Sequence, residues 1–403
     1  MIQLRRVFIV APNIGLSFGG GGGVKVALYM AQTLLEHGLK VHLIALSGWN
    51  IEELDRVHGT NLRRFYREGK IVLNYLFGFG ESPRIPFPIT VSLIASYIRK
   101  LVRENLPDLM IFHDDVPKLS EEVFKNTSKI ILYSHFPYAA RTYFNIIDAV
   151  EVGLEKYQSY KTRLYYAALK KVIYYDDMPK EVELIANSTV TRIFMELLWR
   201  RNVKVLYPPI TFQANSLERS KDNSIILVGG QPNKRVGDAI KALAELRNRG
   251  RSIPKLYVVA HHFVPWYKEW LVNLVYKFGL QQYVYFMENL SEQDLLNLYA
   301  STKVVLSTAH FEPFGMSVAE GMILRVVPVV YKGSLSGPWI DIVDRGRYGI
   351  GFRTIEELAE AIERVINTEG ELFELQDKVL ERSHIFLLSA FKKKFMELIE
   401  GVI

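Results

Sequence analysis

The 403-residue chain contains no cysteine, which excludes disulfides and thiolate metal sites and fits a cytoplasmic location. It also lacks any apolar run of about 18 residues, so no segment reads as a membrane span. There is no long Lys/Arg block, no zinc-ligand spacing and no RNA-recognition signature. Nucleic acid is therefore not expected as a partner despite a formal net charge of +7. That charge suits anionic lipid head groups or phosphorylated small substrates instead. No D-x-D pair occurs: Asp114-Asp115 and Asp176-Asp177 are adjacent carboxylates and read as solvated or structural. A minor acceptor-side role stays open for the first pair, which follows a strand end beside His113. Low-complexity sequence is confined to five consecutive glycines, Gly19 to Gly23, and these do not form a G-x-G-x-x-G fingerprint.

The start, MIQLRRVFIVAPN, places basic residues before a short apolar stretch, but no small-residue cleavage site follows and the stretch reads as a first strand. RRVFIVAP (5–12) is nearly continuous in apolar residues, as a strand buried on both faces of a parallel sheet must be. VKVALYMAQTLLEHG (24–38) follows with helical spacing and ends at Gly38, and LKVHLIAL (39–46) is the next strand. This βαβ unit opens a doubly wound α/β domain. Further strands are predicted at 107–115, 128–137 and 182–188, with a Tyr- and Lys-rich helix over 155–175. After KVLYPPI (204–210) comes the polar stretch TFQANSLERSKDN, of linker composition. The pattern then restarts with NSIILVGG (223–230), a helix near 236–249, and strands at 255–262, 284–286, 303–308 and 326–331. The expected organisation is two doubly wound domains, 1–206 and 207–384, facing a cleft where strand ends and helix N-termini converge. A final helix of about 385–403 is expected to pack back on the first domain.

The strongest local signal is HFEPFGMSVAEGM (310–322). Pro313 and Gly315 break regular structure and place Glu312 in a loop, while Ser317 to Glu320 begin a helix. Amides of Gly315, Met316 and Ser317 at that helix start suit a phosphate or a sugar hydroxyl. The plainer alternative makes Ser317 and Glu320 a capping box. The glycine run likewise reads two ways, as a flexible turn or as an anion cradle in which bare backbone approaches a ligand.

E-P-F-G-M-S-V-A-E resembles the E-x7-E motif of family-4 retaining glycosyltransferases, whose fold is the two-domain GT-B arrangement. The glycine loop, YSHFP, IANST, VLYPPI, VGGQPNK and LSEQDLLNLYASTKVVLSTAHFEPFGMSVAE occur in the matching order, from about residue 7 to 345. YSHFP, NSTVTRIFMELLW, VLYPPI and SGPWIDIV (336–343) resemble in particular the branch of α-1,2-mannosyltransferases that extend dolichol-linked oligosaccharides. The resemblance implies GDP-mannose as donor and a lipid-linked glycan as acceptor. It also implies a metal-independent reaction by front-face attack, with no enzyme nucleophile.

By the same resemblance, His135 contacts the donor sugar, Lys234 neutralises the donor phosphates, Glu312 binds sugar hydroxyls and Glu320 holds the ribose. Gly21, Gly22 and Gly23 approach the diphosphate, and Phe314, Gly315, Met316 and Ser317 complete the donor side. The family arginine expected a few residues before Lys234 is missing, since Gly229, Gly230 and Gln231 stand there. Arg235 is the candidate replacement. A lipid-linked acceptor implies a membrane surface, and 86–105, 161–166 and 197–204 offer amphipathic or basic-aromatic stretches for peripheral attachment on the cytoplasmic face. The competing readings are a UDP-sugar-dependent transferase of polysaccharide or glycolipid synthesis and a non-catalytic, degenerate transferase that partners another enzyme.

Overall fold

The computed structural model describes residues 6–14, 22–79, 85–143, 160–212, 221–367 and 370–400. The chain divides into two compact units. One holds the described residues before Ile210 together with the final helix from Ser389 onward, and the other is Ile210–Leu388.

The first unit is built on β1 (Arg6–Val10), β2 (Lys40–Gly48), β3 (Ile71–Phe79), β4 (Leu109–His113), β5 (Lys129–Ser134), β6 (Val182–Ala186) and β7 (Lys204–Val205). Their order is β3-β2-β1-β4-β5-β6-β7, and every pair is parallel. β1 lies against β4 with Val7 opposite Leu109 and Val10 opposite Phe112. All five residues of β4 are buried, which is why these strands carry apolar side chains on both faces. The order reverses between β1 and β4, so the chain leaves their carboxyl ends in opposite directions and opens a crevice there.

The second unit repeats the plan with β8 (Asp222–Val228), β9 (Lys255–Ala260), β10 (Val284–Glu288), β11 (Thr302–Ser307), β12 (Val327–Tyr331) and β13 (Ile350–Phe352). The order β10-β9-β8-β11-β12-β13 is again wholly parallel, and its reversal lies between β8 and β11. The doubly wound α/β class expected from the sequence is therefore present in both units.

Three details differ from the sequence reading. β3 and β13 were not anticipated: IVLNYLFGF interrupts its apolar pattern with Asn74 and Gly78 and is only partly buried at the sheet edge, while β13 has three residues. The helix after β1 begins at Gly22, so Gly22 and Gly23 form its first turn instead of preceding it. The tyrosine-rich helix is described as Tyr160–Val172, and 155–159 lie outside the described residues. The final helix, Leu388–Glu400, belongs almost entirely to the first unit, where Lys392 Nζ lies 2.6 Å from Glu36 Oε2 and Phe391 and Phe395 are buried.

Ile111 sits in the middle of β4, fully buried, between Ile9 of β1 and Ile131 of β5. Ile111→Ala leaves a cavity that the sheet cannot close and is expected to cost about 2–5 kcal/mol. Urea denaturation checks this. A loss below about 1 kcal/mol would mean that the centre of the sheet repacks freely.

Candidate active site

In the second unit, the loops after β8 and β11 leave from the two strands that flank the sheet reversal. After β8 the chain passes through Gly229 and Gly230 into a short 3-10 turn, Pro232–Lys234. The φ of Gly229 is +156°, and a Cβ there would collide with the stem of Lys234, whose Cβ lies 2.8 Å from the position it would take. The lysine therefore folds back over bare backbone. Thr308 Oγ1, in the loop after β11, donates to the Lys234 carbonyl at 2.6 Å and ties the two loops together. Lys234 Nζ then forms an ion pair with Glu312 Oε2, with both side chains mostly shielded.

Glu312 is held by its backbone. Its N–H donates to Leu335 O at 3.1 Å and its carbonyl accepts from Gly337 N–H at 2.7 Å. A Cβ on Gly337 would strike the Pro313 carbonyl and Phe314 Cα, the latter at 2.9 Å, so position 337 accepts only glycine. Gly315, with φ of +92°, is the N-cap of the helix Met316–Ile323. The capping-box alternative is thus not what starts this helix, because Ser317 is already in its first turn. An α-helix leaves its first amides without acceptors inside the helix, and these carry partial positive charge. Here they belong to Met316 and Ser317, both half-buried, and no acidic residue shares their turn. Glu320 follows one turn later, half-buried. Its charge, second to burial, pushes the Tyr299 hydroxyl well above its ordinary range, and that hydroxyl donates to Ser317 O at 2.9 Å.

Two of the predicted donor-side residues are placed less favourably. The Phe314 ring is buried against Phe386, centroids 5.6 Å apart, so only its backbone faces the loop. Arg235 has a left-handed backbone, φ of +52°, and its Nε donates to Asp238 Oδ2 at 2.7 Å. Two of the three positions at which the resemblance would set that arginine have no room for a side chain. No side chain fits at Gly229, and a Cβ on Gly230 would lie 2.5 Å from His262 O. Sequence reasoning missed Thr308, Gly337 and Asp238. SGPWIDIV was noted as a likeness, but nothing in its composition signalled that it props Glu312.

In the first unit, the loops after β1, β4 and β5 surround a pocket of about 380 Å³ lined by Asn13, Gly23, His113, Asp114, His135 and Arg141 among others. His135 ends β5. Its carbonyl accepts from Thr191 Oγ1 at 2.9 Å, which fastens it to the helix Thr189–Trp199 of the IANST stretch. Its imidazole abuts Gly23, where a Cβ would sit 3.1 Å from Nε2. Burial lowers the pKa of His135, with Asp114 and the Gly23 backbone opposing it. Burial lowers that of His113 further, aided by His135. Both rings are therefore neutral hydrogen-bonding groups near pH 7. Gly22 and Gly23 lie at the start of their helix, whereas Gly21 is outside the described residues. Among the described residues no group of three or more His, Cys, Asp or Glu is arranged to hold a metal ion.

Residues 210–383 match the family of glycosyl transferases group 1. Over its whole length the chain shares the fold of WaaG, a glycosyltransferase involved in lipopolysaccharide biosynthesis. The TM-score is 0.70 and the identity 16%, covering 98% of this chain and 100% of that one. HepE of Anabaena, solved in complex with UDP and glucose, gives a TM-score of 0.62 and 15% identity, covering 98% and 100%. The chain thus has the two-domain GT-B fold, and its second unit matches the group-1 glycosyl transferase family. Among curated proteins it is similar to the GDP-Man:Man(3)GlcNAc(2)-PP-Dol alpha-1,2-mannosyltransferase of Dictyostelium discoideum, 23% identical over 68% of this chain. It is likewise similar to the protein of that name in Candida albicans, 24% identical over 81% of this chain. The matched region spans 60% of the length of each.

Gly315→Ala forces a side chain into left-handed backbone and against Pro338 and is expected to cost about 1–3 kcal/mol. A thermal melt unchanged from that of the native chain would contradict the strained cap. Asp115 is pushed from 3.8 up to about 7, first by burial and then by Asp114, with the amides of Tyr138 and Ala139 and the charge of Arg141 opposing. The folded chain therefore keeps a proton that the unfolded chain releases, so this group makes stability fall as pH rises from about 4 to about 7. Asp115→Asn is expected to remove that decline. Urea midpoints measured across the window, falling equally in both proteins, would refute it.

Proposed function

We propose that the protein transfers a mannosyl residue from GDP-mannose to a lipid-linked glycan, forming an α linkage with retention and without a metal ion. The observation that carries this reading is the convergence of Lys234, Glu312 and the first amides of the Met316–Ile323 helix at one sheet reversal. The two curated relatives support the choice of sugar and acceptor. As the donor breaks down, negative charge grows on the leaving diphosphate. Lys234 and the Met316 and Ser317 amides are fixed cationic or dipolar groups that can stabilise that charge without reorganising. Glu312, released from Lys234, accepts hydrogen bonds from sugar hydroxyls, and Glu320 does so from the ribose. The acceptor hydroxyl attacks the face from which the diphosphate departs, and a donor phosphate oxygen takes its proton.

A lipid-linked acceptor calls for work at a membrane surface. No helix among the described residues is long and apolar enough to cross a membrane. The helix Phe87–Asn105 exposes Ile89 and Leu93 together with Arg99 and Lys100, a combination suited to peripheral contact with anionic head groups on the cytoplasmic face. A second reading, with a UDP-sugar as donor, is favoured by the fold shared with HepE, which was solved with UDP.

Calorimetry against GDP, UDP, GDP-mannose and UDP-glucose decides between them. GDP is expected to bind more tightly than UDP. Glu320→Ala is expected to weaken GDP by about 10- to 100-fold, the worth of one charged hydrogen bond. Tighter UDP binding would transfer the reading to the second donor. Absence of binding by any nucleotide would point to the degenerate, non-catalytic partner.

A further inference from the structure

The second unit has a cavity of about 370 Å³ that none of the donor-side roles uses. It lies where the chain enters β13 and where the helix Gly370–Ser383 succeeds the helix Ile355–Asn367. Ile350, the first residue of β13, lines it, whereas Lys234 and Glu312 sit on loops that leave the carboxyl ends of parallel strands. The cavity is therefore at the opposite, amino end of the same sheet.

Its wall combines two chemistries. Val365 and Leu372 are buried and form an apolar floor. Arg347, Arg364 and Lys378 stand exposed around that floor, and among the described residues Glu374 is the one carboxylate that lines it. Glu374 precedes Lys378 by four residues, the spacing at which such a pair ordinarily meets on a helix. Yet among the described residues neither Lys378 nor Arg347 forms an ion pair. Arg347 is steadied instead by the Tyr348 ring, whose centroid lies 5.2 Å from its guanidinium carbon.

Three cations against one carboxylate leave an excess of two positive charges around an apolar floor. That combination selects an anion carrying an apolar body. Guanidinium forks match oxyanions through paired N–H donors. A phosphate monoester, with about −1.5 to −2 charge at pH 7, matches the excess where a carboxylate supplies only half of it. We propose that this cavity is a second ligand site, apart from the donor loops, for a phosphate monoester bearing a small apolar group. Arg347, Arg364 and Lys378 hold the phosphate, and the apolar group rests on Val365 and Leu372. A soluble phosphorylated metabolite and a lipid with a phosphate monoester head group share this chemistry. The inference does not depend on the choice of donor sugar or acceptor.

The test titrates the full chain with hexyl phosphate by calorimetry. Saturable binding is expected, weakened about tenfold by Lys378→Gln and by Arg347→Gln. Both side chains are exposed, so these variants keep the fold, as an unchanged thermal melt would verify. Lys234→Gln, on the donor loops, is expected to leave the affinity unchanged within about twofold. Inorganic phosphate and 1-hexanol are each expected to bind at least about tenfold more weakly than the ester, since each offers half of the recognised chemistry. Sedimentation with phosphatidylcholine vesicles containing phosphatidic acid, lost in Lys378→Gln, would identify the lipid as the source. Binding of the soluble ester without such sedimentation would identify the metabolite. Absence of saturable binding, equal affinity in the two cavity variants, or loss of binding in Lys234→Gln would overturn the proposal. So would inorganic phosphate or hexanol binding as tightly as the ester.

Discussion

A parallel sheet that grows outward from its first strand must reverse direction once, and the loops on either side of that reversal cannot cover each other. This constraint acts twice in the chain, between β1 and β4 and again between β8 and β11. The candidate site residues lie at or beside these two places. His113 ends β4, His135 follows β5, and the helix that begins at Gly22 follows β1. Lys234 and Glu312 lie on the loops after β8 and β11. The glycines serve the same geometry, because close approach leaves little room for a Cβ at Gly23, against His135, and none at Gly229 or Gly337.

Within the second unit, the proposed function sets the donor diphosphate beside the Lys234–Glu312 pair and the start of the Met316–Ile323 helix. A partly shielded ion pair loses much of its Coulombic gain to desolvation, so exchanging one anionic partner of Lys234 for another need not cost much net free energy. Under the proposed function, Lys234 passes from Glu312 to phosphate oxygens, which frees Glu312 to take sugar hydroxyls. The backbone clamps on both residues, through Thr308, Leu335 and Gly337, stay in place during such an exchange because they do not involve the side-chain charges.

The alternation of apolar strands with amphipathic helices was enough to read the doubly wound class, since strands buried on both faces must be apolar throughout. β3 escaped notice because an edge strand need not be, and Asn74 and Gly78 broke the pattern. In the site, Glu312, Gly315 and Lys234 were legible because charged or helix-breaking residues stood out against apolar strands. What props them was not legible. Thr308 and Gly337 act through single backbone hydrogen bonds from loops that meet only after folding, and Asp114 looks like any surface carboxylate until its left-handed backbone is seen. The burial of Phe314 was also hidden, because Phe386 lies far along the chain.

Under the proposed function, a donor diphosphate binds at the start of the Met316–Ile323 helix, between it and Lys234. Amide hydrogen exchange of the full chain, followed by mass spectrometry with and without GDP, tests it most directly. Protection confined to the segments 229–235 and 312–320 is the predicted result. Unchanged exchange in both segments under saturating GDP would contradict the account.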